Sequence, residues 1–550
     1  MSDKNINPGT ESGKKIIKGA AILGIAGIIV KLIGAVFRIP VANLIGDTGM
    51  SYYSYAYAIY GTLLVLATSG MPVAISRLVA EKIALGQYKN AHKIYHISAA
   101  IMAIVGGIGF LICYFGSDII ATKMGNPDAA YALRAISPAI FLVSLLAAHR
   151  GFFQGRQNMN PSALSEVTEQ LVRAIVGIAL VFALVSKGLP HAAAGAAFGA
   201  TAGSFVALIL MLVILFFNQP VFRRKILAHD PYVDSTKVII KKIVFIAVPI
   251  VIGAEIMPIM NLIDATLIIN RLTAGGFGLE KAKSLYGLFT GFIIPIIGLP
   301  QIFTAAVAES LVPAISGKFQ TKHFEETRSN IRLGLRTTMI MAFPSAFGII
   351  ALAEPILKTL YFNQEQAVND AINTLMLLGA GVVFLALTQT TAGILQAINK
   401  QTRPVKNLAI GAIFKIILTY TLVGIRSIGI NGAAIATMTA YTIAFLLNFR
   451  DIKKTTDVKI DLTATFVKPA IASAIMAVVS RVVWVLASPL IGSKIATLVA
   501  VIFGGATYFV SIIVIRVIKV EEVETIPSLR RLAKLMRKLG ALSNGVKQKS

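Results

Sequence analysis

The chain consists almost entirely of long apolar stretches separated by short polar segments. Most stretches reach the roughly 20 residues that an α-helix needs to cross the hydrocarbon layer of a bilayer. The alternating apolar and polar residues of an outer-membrane barrel strand do not occur. We therefore predict an all-α polytopic membrane protein with fourteen transmembrane helices. The predicted spans are 17–41, 52–84, 90–116, 129–150, 161–186, 191–217, 239–270, 283–315, 330–353, 368–398, 405–425, 430–449, 466–488 and 494–518.

Repeated segments divide these helices into two halves. "GMPVAISRLVAE" (70–81) resembles "GLPQIFTAAVAE" (298–309), and two further pairs of similar segments follow downstream in the same order. We expect two pseudo-symmetric six-helix bundles in parallel repeat plus two C-terminal helices, a plan typical of carriers that hold substrate between their halves. The expected parts are a disordered cytoplasmic N-terminus (1–16), a first bundle (17–217), a basic cytoplasmic linker (218–238), a second bundle (239–449), helices 13 and 14 (450–518) and a basic amphipathic cytoplasmic tail (519–550).

The Gly-x-Pro in each repeat predicts a break in a membrane helix, because proline removes a backbone donor and clashes with the preceding turn. Such breaks are tolerated where protein or a wet cavity surrounds them. We interpret both breaks as hinges, with static kinks as the alternative, and the nearby charges as gate contacts. For the charges in the first repeat, an i, i+4 ion pair is the alternative. The gate and hinge residues are Gly70, Pro72, Arg77, Glu81, Gly298, Pro300 and Glu309.

Composition and charge agree with a membrane protein. Hydrophobic residues make up 56% of the chain and charged residues 14%, well below the share in soluble proteins. If the N-terminus is cytoplasmic, most of the 52 Lys and Arg fall on the inner side, as the positive-inside rule requires. We therefore expect both termini to be cytoplasmic and the first span to be an uncleaved helix. The tail segment "SLRRLAKLMRKLG" predicts contact with anionic membrane lipid, and we expect no nucleic-acid partner.

Cations inside the predicted spans of the first half indicate an anionic substrate. Charges at membrane depth cost several kcal/mol and are functional candidates by default. Lys31 and Arg38 are seven residues apart and share one helix face. Unpaired Lys and Arg suit phosphate oxygens, so we predict substrate binding by Lys31, Arg38, Arg134 and Arg173. For Arg173, a structural pair with Glu166 is the alternative.

The second half carries acids on helix 7 and a base on helix 11. We predict an ion-coupling role for Glu255, Asn261, Asp264 and Lys415. The acids would either pair with the base across the bundle or bind a coupling cation.

Enzyme and metal motifs are absent from the sequence. There is no Walker A loop or His-Glu-x-x-His, and "HKIYH" (92–96) has no third ligand nearby. Cys113 is the only cysteine, so no intrachain disulfide can form. We expect a non-enzyme without catalytic residues, metal or cofactor. A membrane enzyme of polyprenyl-phosphate metabolism is one alternative, but it would require acid and base residues clustered at one membrane face. A scaffold protein is another alternative, but it would have no need of paired charges inside its predicted spans.

Several segments together resemble a known superfamily. "KLIGAVFRIPVANLIG", "FFQGRQNMNP" and "NLIDATLIINRL", with the first Gly-x-Pro segment, are similar to the multidrug/oligosaccharidyl-lipid/polysaccharide exporters over about residues 15–520. The nearest branch is that of polysaccharide biosynthesis and stage V sporulation protein B, related to the lipid II flippases. The resemblance implies an alternating-access carrier of undecaprenyl-pyrophosphate-linked sugar, foremost lipid II, to the outer leaflet of the bacterial cytoplasmic membrane.

The resemblance also implies roles in cell-wall synthesis, cell shape or sporulation, and we expect a monomer. Transport would be driven by H+, Na+ or the membrane potential alone. The alternatives are a flippase for another lipid-linked polysaccharide and a cation-coupled multidrug exporter.

The chain departs from the family pattern at three points. Lys31 stands where arginine is typical of the central cationic cavity. The lipid II flippases use a basic residue early in helix 8, and the segment 284–295 has none. Some relatives place acids on helix 11 for sodium, and Lys415 argues against a sodium site there.

Overall fold

A computed structural model describes residues 11–227 and 234–517 of the chain. The predicted amphipathic tail (519–550) lies outside these residues, as do the first ten residues of the segment predicted to be disordered. The chain forms two compact units, Met1–Gly291 and Phe292–Ser550.

The helices of the first unit are α1 (Glu11–Thr68), α2 (Met71–Ala84), α3 (Tyr88–Phe115), α4 (Ser117–Lys123), α5 (Ala130–Gly155), α6 (Asn160–Leu184), α7 (Leu189–Leu227), α8 (Thr236–Ala254), α9 (Ile256–Ala274) and α10 (Leu279–Gly287), with 3₁₀ turns at Pro127–Ala129 and Val185–Lys187. A π-helical segment, Leu288–Ile293, follows α10.

The helices of the second unit are α11 (Ile294–Gln320), α12 (Phe324–Ala351), α13 (Ala353–Leu360), α14 (Glu365–Ala397), α15 (Thr402–Val423), α16 (Asn431–Thr456), α17 (Lys468–Ile491) and α18 (Ser493–Val514), with a π-helical turn at Thr463–Val467.

The prediction of an all-α polytopic membrane protein is confirmed. The described residues contain twelve helical segments long and apolar enough to span a membrane, or thirteen if the bent pair α8 and α9 counts as one span. The first of these segments, Ala21–Ala84, has 64 residues and is long enough for two spans. Counting it twice gives the fourteen predicted helices. No strand occurs in the described ranges.

A single glycine divides α1. An unbroken helix of 58 residues would be about 87 Å long, almost three times the thickness of the hydrocarbon layer. Gly46 has φ 66° and ψ −170°, outside the helical region, and so separates two helical parts. Glycine adopts this conformation without the steric cost that a Cβ would add. The break lies between the first two predicted spans.

Each unit has its own apolar core. In the first unit, Ile75 of α2 and Phe153 of α5 pack with Ile239 and Ala247 of α8. In the second unit, the core joins α11, α12, α14 and α16. Helix α8 therefore packs with the first unit, although the sequence repeat assigns it to the second bundle. The bundle boundaries drawn from the repeat stay a prediction.

A buried ion pair ties the start of α8 to α2 and α3. Lys82 Nζ lies 2.7 Å from Asp234 Oδ2, and these side chains are only 9% and 11% exposed. The Asp234 backbone also participates: its carbonyl oxygen accepts from Lys93 Nζ at 2.8 Å, and its N–H donates to Asn90 Oδ1 at 2.8 Å. Ser235 then caps the first turn of α8 with its hydroxyl. This network holds the beginning of α8, which corresponds to the start of predicted helix 7, against α2 and α3.

Glu354 of α13 lies close to Arg481 of α17, which corresponds to the predicted thirteenth membrane helix. Glu354 accepts a hydrogen bond from Lys358 Nζ at 2.9 Å and lies 3.6 Å from Arg481 Nη2. The hydrogen bond from Lys358, assisted by Arg481, holds the pKa of the Glu354 carboxyl below its usual range. Arg481 also lies 4.8 Å from the centre of the Trp484 ring. Arg481 thus has structural partners.

We predict that Asp234→Asn will destabilise the protein by about 3 kcal/mol, because it leaves the buried Lys82 ammonium without its acid. The matched control is Asp118→Asn, which breaks a pair whose side chains are 70% and 41% exposed and should cost at most about 0.5 kcal/mol. Thermal unfolding of the purified protein in detergent measures both effects. Equal shifts in Tm would contradict the prediction.

Candidate functional site

Helix α1 carries two different exposed faces. Lys31 is exposed and Arg38 is half-buried, and neither forms an ion pair with any described residue. The glycines of the same sector have no atom within 4 Å of an added Cβ; they are Gly24, Gly27 and Gly34. The exposed apolar side chains lie about 120° around the helix at 100° per residue; they include Ile25, Ile29, Leu32 and Val36. The apolar face suits lipid, and the face of glycines and cations suits water and an anion.

Arg173 of α6 is enclosed by aromatic side chains of α1. Its Nη2 donates to the Tyr53 hydroxyl at 2.6 Å, and its Nη1 donates to the Tyr57 hydroxyl at 3.2 Å. Its guanidinium carbon lies 4.7 Å from the centre of the Tyr57 ring and 5.6 Å from that of Phe37. Arg38 lies over the same Tyr57 ring at 5.6 Å. Two of the predicted substrate-binding arginines therefore share one tyrosine.

A second arginine, which sequence reasoning missed, neutralises the buried acid of α6. Arg150 Nη2 donates to Glu169 Oε2 at 2.8 Å, and Arg150 Nε donates to Ser165 Oγ at 2.9 Å. Ser204 of α7 donates to the other Glu169 oxygen at 3.1 Å. Arg150 is the last residue of a predicted span, and its acid partner lies 19 positions further along the chain, so sequence spacing does not indicate the pair. The hydrogen bonds of Arg173 go to Tyr53, Tyr57 and Gln170, and not to Glu166.

Arg134, the remaining predicted substrate-binding cation, is paired near the surface. Its Nη2 lies 2.6 Å from Asp118 Oδ2, and its Nε donates to Ser117 Oγ at 3.2 Å. Among the four predicted substrate-binding residues, Lys31 and Arg38 are thus the two that solvent can reach and that have no acid partner among the described residues.

Helix 7 breaks at a buried acid. Helices α8 and α9 meet at Glu255 with a bend of 47°. Pro258 causes part of this break, because it has no N–H to donate to the carbonyl four residues earlier. Glu255 is 6% exposed, and neither carboxylate oxygen has a hydrogen-bond partner among the described residues. It is the residue that directly follows the last residue of α8. A bare carboxylate here is costly, so the site favours a proton or a cation.

The other predicted coupling residues lie in different settings. Asn261 is exposed and Asp264 is buried on α9 of the first unit. Lys415 is buried on α15 of the second unit. Their coupling role stays a prediction.

The two Gly-x-Pro segments differ in structure. Gly70 lies between α1 and α2, and Pro72 occupies the first turn of α2. Pro300 lies inside α11, which continues to Gln320. An added Cβ at Gly70 would lie 2.5 Å from the Ala247 oxygen, whereas Gly298 faces open space. The first is a packed junction between helices and the second is a proline within a helix. Their hinge role stays a prediction.

The predicted gate charges are exposed. Arg77, Glu81 and Glu309 all lie on exposed helix positions. Within the described part of the chain, no ion pair joins Arg77 to Glu81, and the gate role of both residues stays a prediction.

A buried lysine precedes the segment of helix 8 that lacks a basic residue. Lys283 Nζ lies 2.8 Å from Asp128 Oδ2 and 2.9 Å from Glu280 Oε1. Next to it, Ser284 Oγ donates to Asp47 Oδ2 at 2.5 Å. Lys283 therefore forms ion pairs with two acids. The hydrogen bond from Ser284 to Asp47 holds α10 next to the Gly46 break of α1.

Gly287 makes the closest approach in this cluster. A Cβ added there would overlap the carbonyl oxygen of Asp47 and come within 2.8 Å of the Ser51 nitrogen. Helix α10 reaches α1 at this point only because residue 287 has no side chain.

Comparison with known proteins identifies the family. The sequence profile described as "Polysaccharide biosynthesis protein" matches residues 16–319, and the MatE profile matches residues 284–421. The chain is 31% identical to the Bacillus subtilis protein named "Uncharacterized membrane protein YabM", covering 95% of this chain and 97% of that protein. It is 27% identical to the B. subtilis "Lipid II flippase MurJ", covering 90% and 94%.

Solved structures show the same fold. An inward-closed lipid II flippase MurJ matches with TM-score 0.68 and 18% identity, over 89% of this chain and 98% of that one. An inward-facing multidrug resistance MATE family transporter matches with TM-score 0.67 and 16% identity, over 78% and 96%. At such identities the likeness supports the helical architecture and not a particular substrate.

We predict that Gly287→Ala will lower stability by on the order of 3 kcal/mol, because the new methyl group must displace the backbone of Asp47. Gly505→Ala is the control, since residue 505 lies in α18 with nothing within 4 Å and gains helix propensity. Thermal unfolding in detergent should separate the two variants by several degrees. A Gly287→Ala protein as stable as the control would refute the close approach.

Proposed function

The chain belongs to the polysaccharide biosynthesis protein family of the multidrug/oligosaccharidyl-lipid/polysaccharide exporter superfamily, and from this premise we propose that it is a flippase for an undecaprenyl-pyrophosphate-linked glycan. It is a multi-pass membrane transporter and not an enzyme. The single observation that carries the proposal is the exposed face of α1, on which Lys31 and Arg38 have no acid partner among the described residues.

This face suits a diphosphate. A guanidinium presents planar N–H donors that match two phosphate oxygens at once, and an ammonium adds a mobile positive charge. The three neighbouring glycines leave space for a headgroup beside the helix. An acid near either cation would compete with the phosphate, and the described residues place none within ion-pair distance.

Lipid II is the proposed glycan. A relative named as a lipid II flippase, similar to this chain over nearly its whole length, supports this choice. A relative named for stage V of sporulation is compatible with the same chemistry in spore formation. Another lipid-linked polysaccharide unit carries the same diphosphate and is the alternative.

Transport proceeds by alternating access in this proposal. The headgroup enters from the inner leaflet of the bacterial cytoplasmic membrane while the polyprenyl tail stays in lipid. The halves then rock, with the two Gly-x-Pro segments as hinges, and release the headgroup outside. A membrane potential that is negative inside favours outward movement of the anion.

Glu255 is the proposed coupling residue. Its buried, unpartnered carboxylate at the break of helix 7 requires a proton or a cation for stability. Gain or loss of that ion would change the preferred geometry of the bend, and so link an ion gradient to the rocking motion. Asn261 and Asp264 lie about one and a half to two and a half turns further along α9.

We predict that Arg38→Ala and Lys31→Ala will each slow flipping of lipid II by about 10- to 100-fold, the effect of losing hydrogen bonds to a charged group. The measurement uses reconstituted vesicles with labelled lipid II and chemical quenching of the label on the outer leaflet. Lys187→Ala is the control, because Lys187 is an exposed lysine in the turn after α6.

Wild-type rates in both variants would overturn the binding role of this face. Flipping of a different undecaprenyl-pyrophosphate glycan in preference to lipid II would identify the alternative substrate. Export of organic cations without any lipid flipping would favour the multidrug exporter.

We predict that Glu255→Gln will abolish the dependence of flipping on an imposed proton or sodium gradient while flipping driven by the membrane potential persists. The amide is permanently neutral, so thermal stability should be unchanged or increased. Glu365→Gln, at an exposed acid that begins α14, is the control. Retained gradient dependence, or a clear loss of stability, would contradict this role.

A further inference from the structure

The proposed function requires the Arg38 guanidinium to be both fixed in position and still fully charged. A free arginine side chain has large rotamer entropy, which binding must overcome. Pairing with a carboxylate would fix the side chain but would cancel the charge that the substrate needs. The first unit uses that solution elsewhere, for Arg150 with Glu169 and for Arg134 with Asp118.

Arg38 is held differently, by the face of an aromatic ring. Its guanidinium carbon lies 5.6 Å from the centre of the Tyr57 ring, within the range of a cation–π interaction. The ring attracts the cation through its quadrupole and carries no net charge. The N–H edges of Arg38 therefore stay available to an anion.

Tyr57 is itself held in place by contacts with α6 and with a neighbouring ring of α1. Its hydroxyl accepts a hydrogen bond from Arg173 Nη1 at 3.2 Å, and its ring stacks on Tyr53 with centres 5.8 Å apart. Arg173 is only 8% exposed, with Tyr53 and Phe37 around it. The Tyr57 ring thus has little freedom to rotate, and its position is set from α6.

The break of α1 makes this contact possible. Arg38 and Tyr57 are 19 positions apart, about 28 Å along a continuous helix. Gly46 lies between them and interrupts the helix, so the two parts of α1 come together. Sequence spacing alone does not indicate the pair.

We propose that Tyr57 is a positioning residue for substrate recognition: it holds Arg38 toward the diphosphate of the lipid-linked glycan without neutralising it, with Arg173 and Tyr53 as its support. The proposal rests on the proposed function of Arg38. It also reassigns Arg173 from direct binding of substrate to the support of Tyr57.

The test measures the dissociation constant of undecaprenyl pyrophosphate, which carries the diphosphate without any particular glycan. Tyr57→Leu should raise the dissociation constant by about tenfold, the effect of losing one cation–π interaction. Tyr57→Phe keeps the ring and should stay within about threefold of wild type. Tyr131→Leu, at an exposed tyrosine of α5, is the control and should bind like wild type.

A double-mutant cycle separates positioning from a general structural effect. In an Arg38→Ala background, Tyr57→Leu should cause no further loss of affinity. If Tyr57→Leu weakens binding as much in that background as alone, the proposal is overturned. If Tyr57→Leu does not fold, Tyr57→Met fills a similar volume without a ring and gives the same comparison.

The failures of the two proposals are distinguishable. Normal binding by Arg38→Ala alone would refute the role of Arg38 in the proposed function. Weak binding by Arg38→Ala with normal binding by Tyr57→Leu would refute only the inference about Tyr57.

Discussion

A charge inside the hydrocarbon layer must have a partner or keep contact with water, and this requirement organises the first unit. Arg150 meets it with Glu169, and at the end of a predicted span Lys82 is paired with Asp234 of the predicted linker. The first pair joins α5 to α6, and the second joins α2 to the residue two positions before α8. Lys31 and Arg38 meet the requirement without an acid, on a face of α1 that is open. The contrast between neutralised and available cations is the basis of the functional assignment.

Hydropathy is sufficient to predict the helical membrane fold, because each span must satisfy its own backbone hydrogen bonds. It also places Lys31 and Arg38 on one face, since both lie on the same straight helical part. The partners of Arg150, Arg173 and Lys283 were not predictable in this way. The partners Glu169, Tyr53 and Asp128 lie 19 to 155 positions away along the chain, and which helices meet depends on packing between side chains that a single sequence does not reveal.

The repeated Gly-x-Pro segments illustrate the same limit. Their similarity predicts equivalent breaks, yet Gly70 packs tightly against α8 and Gly298 faces open space. The Gly-x-Pro motif favours a helix break, but the packing of the surrounding helices determines whether the chain forms a junction between two helices or one helix with an internal proline. The buried Glu255 at the bend of helix 7 was predictable as an intramembrane acid, but its lack of a described partner follows only from the three-dimensional arrangement.

The ion pair and hydrogen bonds that join the start of α8 to α2 and α3 determine what would happen if the polypeptide were cut into two fragments. A chain cut between α7 and α8 would leave α8, α9 and α10 on the C-terminal fragment, while Lys82, Asp47 and the core that receives Ile239 remain on the N-terminal one. Each fragment would then hold one member of the Lys82–Asp234 pair without the other. Two co-expressed fragments would have to associate before these contacts could form. A cut at that place would therefore turn one polypeptide into a heterodimer.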